Sequence, residues 1–188
     1  MRKLILLWLT AFAAIAVSAQ KKIMVQPGYG FINGKESNAS QGSLDAYYRL
    51  KLFNIGLGAA LDVHYLQSVP LYVATQKIIG KEKLRFVVYG NGGLNIPVPR
   101  DDQKIYDWRF FGTGAYKPGH YYDFGAGLAI MVTRTESLLL TCGFSGKGTR
   151  QVYTTGYGPA GRLPPGEEQK STFSYNQQRI VVRLKLEL

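Results

Sequence analysis

From Lys22 onward the chain alternates apolar and polar residues with a period of two rather than 3.6. That is the spacing of a β-strand with one apolar face, because successive side chains leave opposite sides of the backbone. The plainest run is residues 180–188. Ile180, Val182, Leu184, Leu186 and Leu188 take one face, and Arg183, Lys185 and Glu187 the other. The pattern recurs at residues 44–53, 57–65, 84–94, 121–132 and 138–145. Residues 44–53, for example, set Leu44, Ala46, Tyr48, Leu50 and Leu52 against Asp45, Tyr47, Arg49 and Lys51. Two weaker runs complete the set: residues 23–32, interrupted by Pro27, and residues 70–79, whose phase is ambiguous. The pattern therefore predicts eight strands, several as long as a tilted membrane-spanning β-strand, and no helix after the N-terminal segment.

That segment has its own character. Arg2 and Lys3 precede a stretch, residues 4–17, that is apolar except for Thr10, and Val17-Ser18-Ala19 follows with small residues at the cleavage positions. The reading is a secretory signal peptide over residues 1–19, cut before Gln20, leaving residues 20–188 as one domain. No later stretch is long and apolar enough for a membrane helix. The exported chain is then either soluble or crosses a membrane as a closed barrel.

The expected connections differ in length. Residues 33–43, 95–120 and 146–177 read as long loops, whereas 54–56, 80–83 and 133–136 read as tight turns, with 66–69 also short. Outer-membrane barrels join their strands by short turns on one side and longer loops on the other. Tyr29, Phe31, Tyr48, Tyr65, Tyr72, Tyr122, Phe144 and Tyr175 are placed by this reading at the long-loop ends, as an aromatic girdle. The fold class expected is all-β: an eight-stranded antiparallel up-and-down transmembrane β-barrel.

Certain residues suggest a family. Ile55-Gly56-Leu57-Gly58-Ala59-Ala60-Leu61-Asp62, then Val69-Pro70-Leu71-Tyr72 and Gly80-Lys81-Glu82-Lys83, resemble the small outer-membrane β-barrel domain proteins of Gram-negative bacteria. Tyr122-Asp123-Phe124-Gly125-Ala126-Gly127-Leu128, followed by residues 137–146, is similar to that family's penultimate hairpin. The resemblance covers most of residues 22–188. It implies the barrel fold and a place in the cell outer membrane.

Composition narrows the chemistry. Hydrophobic residues are 46% of the 188, which excludes a disordered chain, and 22 Gly and 13 Tyr suit β-structure. The single Cys142 excludes a disulfide scaffold and a Cys-based zinc site, and two His leave little for a metal centre, so no metal or cofactor is expected. The net charge is +11, falling to +9 without Arg2 and Lys3. An exported chain with no stacking module is not read as a nucleic-acid binder.

An eight-stranded ring has an interior just wide enough for side chains to fill. The inward set expected is Asp45, Arg49, Lys51, Asp62, His64, Arg85, Asp123, Arg183, Lys185 and Glu187. Opposite charges there should pair and plug the bore, because an unpaired buried charge is costly. His64 and His120 are the general-base candidates, but His120 lies at a loop edge with no Ser beside it and His64 pairs by pattern with Asp62 in the lumen, so the chain reads as no enzyme and no catalytic residue is assigned. Lys104, Trp108, Arg109, Lys117 and Arg150 form an outer-loop set of basic and aromatic groups suited to phosphates and acyl chains. The expected partners are outer-membrane lipids, lipopolysaccharide among them, and the outer-membrane assembly machinery, with the chain a monomer. The function expected is structural or surface-binding. The alternatives are an outer-membrane lipid-modifying enzyme and a soluble secreted or periplasmic ligand-binding barrel.

Overall fold

The computed structural model describes residues 22–34, 38–63, 66–99, 106–107, 112–133, 136–155, 157–158, 161–162 and 169–188. All regular structure among them is strand. In chain order these are β1 (Ile23–Gly34), β2 (Asn38–Arg49), β3 (Asn54–Val63), β4 (Ser68–Ile79), β5 (Leu84–Pro97), β6 (Tyr106–Asp107), β7 (Gly112–Lys117), β8 (Gly119–Met131), β9 (Ser137–Thr155), β10 (Tyr157–Gly158), β11 (Gly161–Arg162) and β12 (Gln169–Glu187). The proposed signal peptide lies outside the described residues.

Eight of these strands close a ring. β1, β2, β3, β4, β5, β8, β9 and β12 pair in that order, each antiparallel to its neighbours, and β12 returns to pair with β1. The seam joins Gly28 to Lys185 and Gly34 to Arg179. It is extended by reciprocal backbone bonds between Val25 and Leu188, at 3.0 and 3.3 Å. The result is a closed eight-stranded, all-antiparallel β-barrel, in which no ring strand has a free edge within the wall.

The alternation seen in the sequence sorts the two faces of this wall, with the apolar row outside. In β2, Leu44 and Tyr48 are exposed and Asp45 and Tyr47 buried; in β12, Leu184 and Leu186 are exposed and Arg183 and Lys185 buried. Leu57 and Phe31, at 70% and 67% exposure, show how far the usual arrangement is reversed. Apolar side chains inside the ring form three small clusters: Met24, Tyr47, Ala60, Tyr72, Ala74 and Tyr121; Ile32, Ala39 and Val181; and Val87, Ala129 and Leu139.

Several sequence expectations change. The first connection is not a long loop, because β1 and β2 run on to Gly34 and Asn38 and leave only residues 35–37 between them. β2 stops at Arg49, so Lys51 sits exposed in the turn before β3 and does not enter the ring. Residues 146–177, expected as a loop, are largely strand: β9 and β12 are 19 residues each and stay paired from Ser137–Glu187 out to Thr155–Gln169. Above the point where β8 begins, β7 takes over the vacated edge of β9, from Lys117–Arg150 to Gly112–Thr155. A sheet of β12, β9 and β7 therefore continues the wall beyond the ring on one side. Tyr48 also lies at the opposite end from the one expected, beside Ile23 and Ile55 near the β2–β3 turn.

The β4–β5 turn depends on Gly80, whose φ is +118°. An L side chain meets its own backbone in that region, whereas glycine does not. Gly42, by contrast, faces outward, and a Cβ added there would meet nothing within 4 Å. Gly80→Val is expected to lower stability by about 1–2 kcal/mol and Gly42→Ala to leave it nearly unchanged, as read from urea unfolding midpoints in detergent.

Candidate functional site

The polar face of the wall converges on the bore, where four carboxylates organise successive levels. Nearest the short turns, Glu187 on β12 accepts from Arg49 on β2 at 2.8 Å. At the same end Arg85 on β5 donates to Ser137 Oγ on β9 at 2.6 Å. One level up, Asp45 on β2 accepts from Lys185 Nζ at 2.7 Å and from the Tyr72 hydroxyl at 2.8 Å. The Tyr72 ring reaches Asp45 only because Gly58 lies beneath it; a Cβ there would land on the ring and on Asp45 Oδ1.

The third level centres on Asp123 of β8. Arg183 pairs with it at 2.7 Å, and Asn91 and the hydroxyls of Tyr89 and Tyr121 donate to it at 3.1, 3.3 and 3.4 Å. Arg183 also donates from Nε to Gln41 at 2.8 Å and lies 6.0 Å from the centre of the Tyr89 ring, a cation–π contact. The fourth level holds Asp62 of β3 between Lys147 Nζ of β9 and Arg179 Nη2 of β12, each at 2.8 Å. Lys147 donates further to Ser68 at 2.9 Å. Higher still, Asn95 Nδ2 donates to the Gly148 carbonyl and to Thr149 Oγ1, both at 3.2 Å.

The ion pairs join strands that are not neighbours in the wall, whereas Asn91, Tyr89 and Tyr121 reach Asp123 from the next strand or its own. β3 and β9 are diametrically opposed in the strand order, so the Asp62–Lys147 pair spans the full bore. All side chains of the upper three ion-pair levels are almost fully buried. Groups so placed depend on one another, because each has given up the water that would otherwise surround it. Among the described residues the bore carries more positive than negative groups: Arg49, Arg85, Lys147, Arg179, Arg183 and Lys185 face Asp45, Asp62, Asp123 and Glu187.

Measured against the expected inward set, the structure brings together Asp45, Asp62, Asp123, Arg49, Arg85, Arg183, Lys185 and Glu187. Lys51 stands apart in its turn, and His64 lies outside the described residues. Lys147 and Arg179 are additions that the sequence pattern misses, whereas Tyr47 and Tyr89 stand on the buried row to which their runs assign them. Tyr72, expected on the exterior, is instead a buried donor to Asp45. Of the outer-loop set, Lys104, Trp108 and Arg109 lie outside the described residues. Lys117 and Arg150 are exposed and directly opposite each other on β7 and β9. His120 is on the exterior, its ring stacked on Tyr122 at 6.0 Å, with Phe124 and Phe144 continuing the aromatic column.

The chain matches no protein-family model and no curated protein by sequence. Solved structures resemble it in fold. The crystal structure of Neisserial surface protein A aligns with a TM-score of 0.53 at 7% identity, over 88% of this chain and 94% of that one. The solid-state NMR structure of outer membrane protein AlkL in DMPC bilayers aligns with a TM-score of 0.52 at 12% identity, over 90% of this chain and 92% of that one. At such identities the likeness is one of fold: both are barrels that this chain shares an architecture with.

Within the bore, Asp45 and Lys185 offer the cleanest test of pairing. Asp45→Asn leaves a buried ammonium behind and is expected to cost about 3–5 kcal/mol. The double variant Asp45→Asn with Lys185→Met should recover more than half of that loss in the same urea titration. A double variant no more stable than the single one would show that the two charges do not depend on each other.

Proposed function

We propose that this chain is an integral outer-membrane β-barrel of non-enzymatic, structural or surface-binding role, its bore closed by paired side chains. The observation that carries the proposal is the inversion of the wall. A closed ring satisfies its own backbone and turns Leu, Val, Ile and Phe outward, while burying Asp, Lys and Arg within. Apolar rows of this extent are stable only against lipid, and a closed antiparallel ring is the one sheet that can stand there without unpaired edges. The N-terminal segment, read as a signal peptide, supports export.

The exterior also supports an orientation. Along β8, β9 and β7 the outward row passes from Leu128 and Leu140 through the rings of Phe124, Phe144, Tyr122 and His120 to Lys117 and Arg150. His120 lies over Gly148 and Lys117 opposite Arg150, two residues further along β9, or roughly 7 Å. Apolar, then aromatic, then basic is the order in which acyl chains, interface and phosphate-bearing headgroups would be met. Lys117 and Arg150 are like charges directly opposite each other, an arrangement that repels unless an anion lies between them. The proposal assigns them the phosphates of outer-leaflet lipid, lipopolysaccharide included.

Reconstituted protein in planar bilayers is expected to show no steady conductance, because the Asp62–Lys147 tie and the Asp123 cluster occupy the bore. A stable ion-selective channel would reject the closed bore while leaving the barrel intact. On the exterior, Leu184→Arg should cost about 2–4 kcal/mol if the site is near the bilayer midplane, whereas Thr172→Arg, beyond the ring, should be nearly silent. Equal tolerance, or recovery of the wild type in the soluble periplasmic fraction, would reject the membrane reading.

A further inference from the structure

The wall is closed around the ring but open above it. β12 keeps β9 as its neighbour along its whole length, whereas its pairing with β1 ends at Gly34–Arg179. Among the described residues nothing pairs the β1-side edge of β12 from Lys170 to Asn176, and every residue in that stretch is exposed.

The direction of the backbone groups on that edge follows from the seam. Leu188 exchanges both its N–H and its C=O bonds with Val25 of β1. In an antiparallel pair the residues that do so alternate, every second one pointing to the same neighbour. The β12–β9 register runs without a break from Glu187–Ser137 to Gln169–Thr155, so no bulge resets the alternation. The even-numbered residues of β12 therefore aim their backbone groups at the β1 side. Above Arg179 these include Lys170, Thr172, Ser174 and Asn176, whose amides and carbonyls point to an unpaired edge.

An extended edge of this kind is a template for one more strand. We propose that the upper edge of β12 binds an extended peptide segment of another protein by β-strand addition, and that the segment alternates apolar with acidic residues. The alternation follows from the two faces of the sheet. Phe173 and Tyr175 line the face continuous with the bore, beside Tyr153, whose ring meets Phe173 edge-on at 5.5 Å. Lys170 lies on the opposite face of the edge strand itself. A strand laid on the edge would set every second side chain against rings and the others on the face that carries the Lys170 ammonium.

A second copy of this chain fits the edge less well. Strands of such a barrel are tilted about 35–45° to its axis, so a two-fold axis along the membrane normal crosses two β12 edges at roughly 80° and lets them meet only at a point. A free segment can align along the whole edge.

The test uses the full chain in detergent micelles, with a fluorescein-labelled decapeptide alternating valine and glutamate and a valine–lysine decapeptide as control. The wild type is expected to bind the valine–glutamate peptide saturably in fluorescence anisotropy and the control much more weakly. Ser174→Pro removes one edge donor and no bond to β9, and proline is tolerated where the N–H faces away from a neighbour. It should keep the heat-modifiable folded band and weaken binding roughly tenfold, or about 1.4 kcal/mol. Lys170→Glu keeps the backbone intact and should shift preference toward the valine–lysine peptide. Failure of the wild type to bind, unchanged affinity in a folded Ser174→Pro protein, or unchanged preference in Lys170→Glu would each overturn the proposal. So would a wild-type dimer in sedimentation that Ser174→Pro dissolves, since the edge would then belong to a second copy. None of these readouts depends on whether the bore conducts.

Discussion

Everything inside this molecule follows from the closure of eight strands into a ring. Closure leaves no edge in the wall, fixes which face of each strand looks inward, and encloses a space of about the width that side chains fill. A charged residue buried on the inner face has left its solvent, and its stability rests on a partner reaching from another strand. Asp45, Asp62, Asp123 and Glu187 are each met in this way, by Lys185, by Lys147 and Arg179, by Arg183, and by Arg49. The tyrosines belong to the same arrangement. Tyr72 and Tyr89 fill volume with their rings and donate their hydroxyls to the carboxylates, so the apolar and ionic parts of the interior are not separate cores.

How much of this is legible in the sequence depends on whether a strand displays both of its rows. β12 below Arg179 does: Ile180, Val182 and Leu184 mark the exterior so clearly that Arg183, Lys185 and Glu187 are assigned inward by elimination. The same holds for Asp45 in β2, Asp62 in β3 and Asp123 in β8. Lys147 is hidden because the outward positions beside it are Gly146 and Gly148. No apolar side chain marks the period there; the rings of Tyr122 and His120, from the neighbouring strand, cover those glycines instead. Arg179 is hidden for a related reason. The polar Gln177 and Gln178 precede it, and the alternation stops one residue too late to include it.

Beyond the ring the signal disappears altogether. Residues 147–155 and 169–178 read as loop in the sequence because neither face is consistently apolar, yet they are paired strand from end to end. Alternating hydrophobicity reports a boundary between two solvents, and a sheet that leaves the apolar zone has no such boundary to report. The turn at Lys51 misleads in the opposite direction: Leu50, Lys51 and Leu52 keep the alternating pattern after the strand has ended at Arg49.

The distribution of charge along the chain has a kinetic consequence. The carboxylates of Asp45, Asp62 and Asp123 sit on β2, β3 and β8, while Arg179, Arg183 and Lys185, which meet them, sit together on β12. Until that strand arrives, a partly assembled sheet holds its acids without these three counter-charges. Docking β12 satisfies them and closes the seam with β1 in one event that joins residues more than a hundred positions apart. Contacts so distant in sequence form slowly and reward the chain only when complete. The unclosed sheet thus lacks the partners of Asp45 and Asp123 as well as an edge, and closure of the barrel is expected to be close to all-or-none.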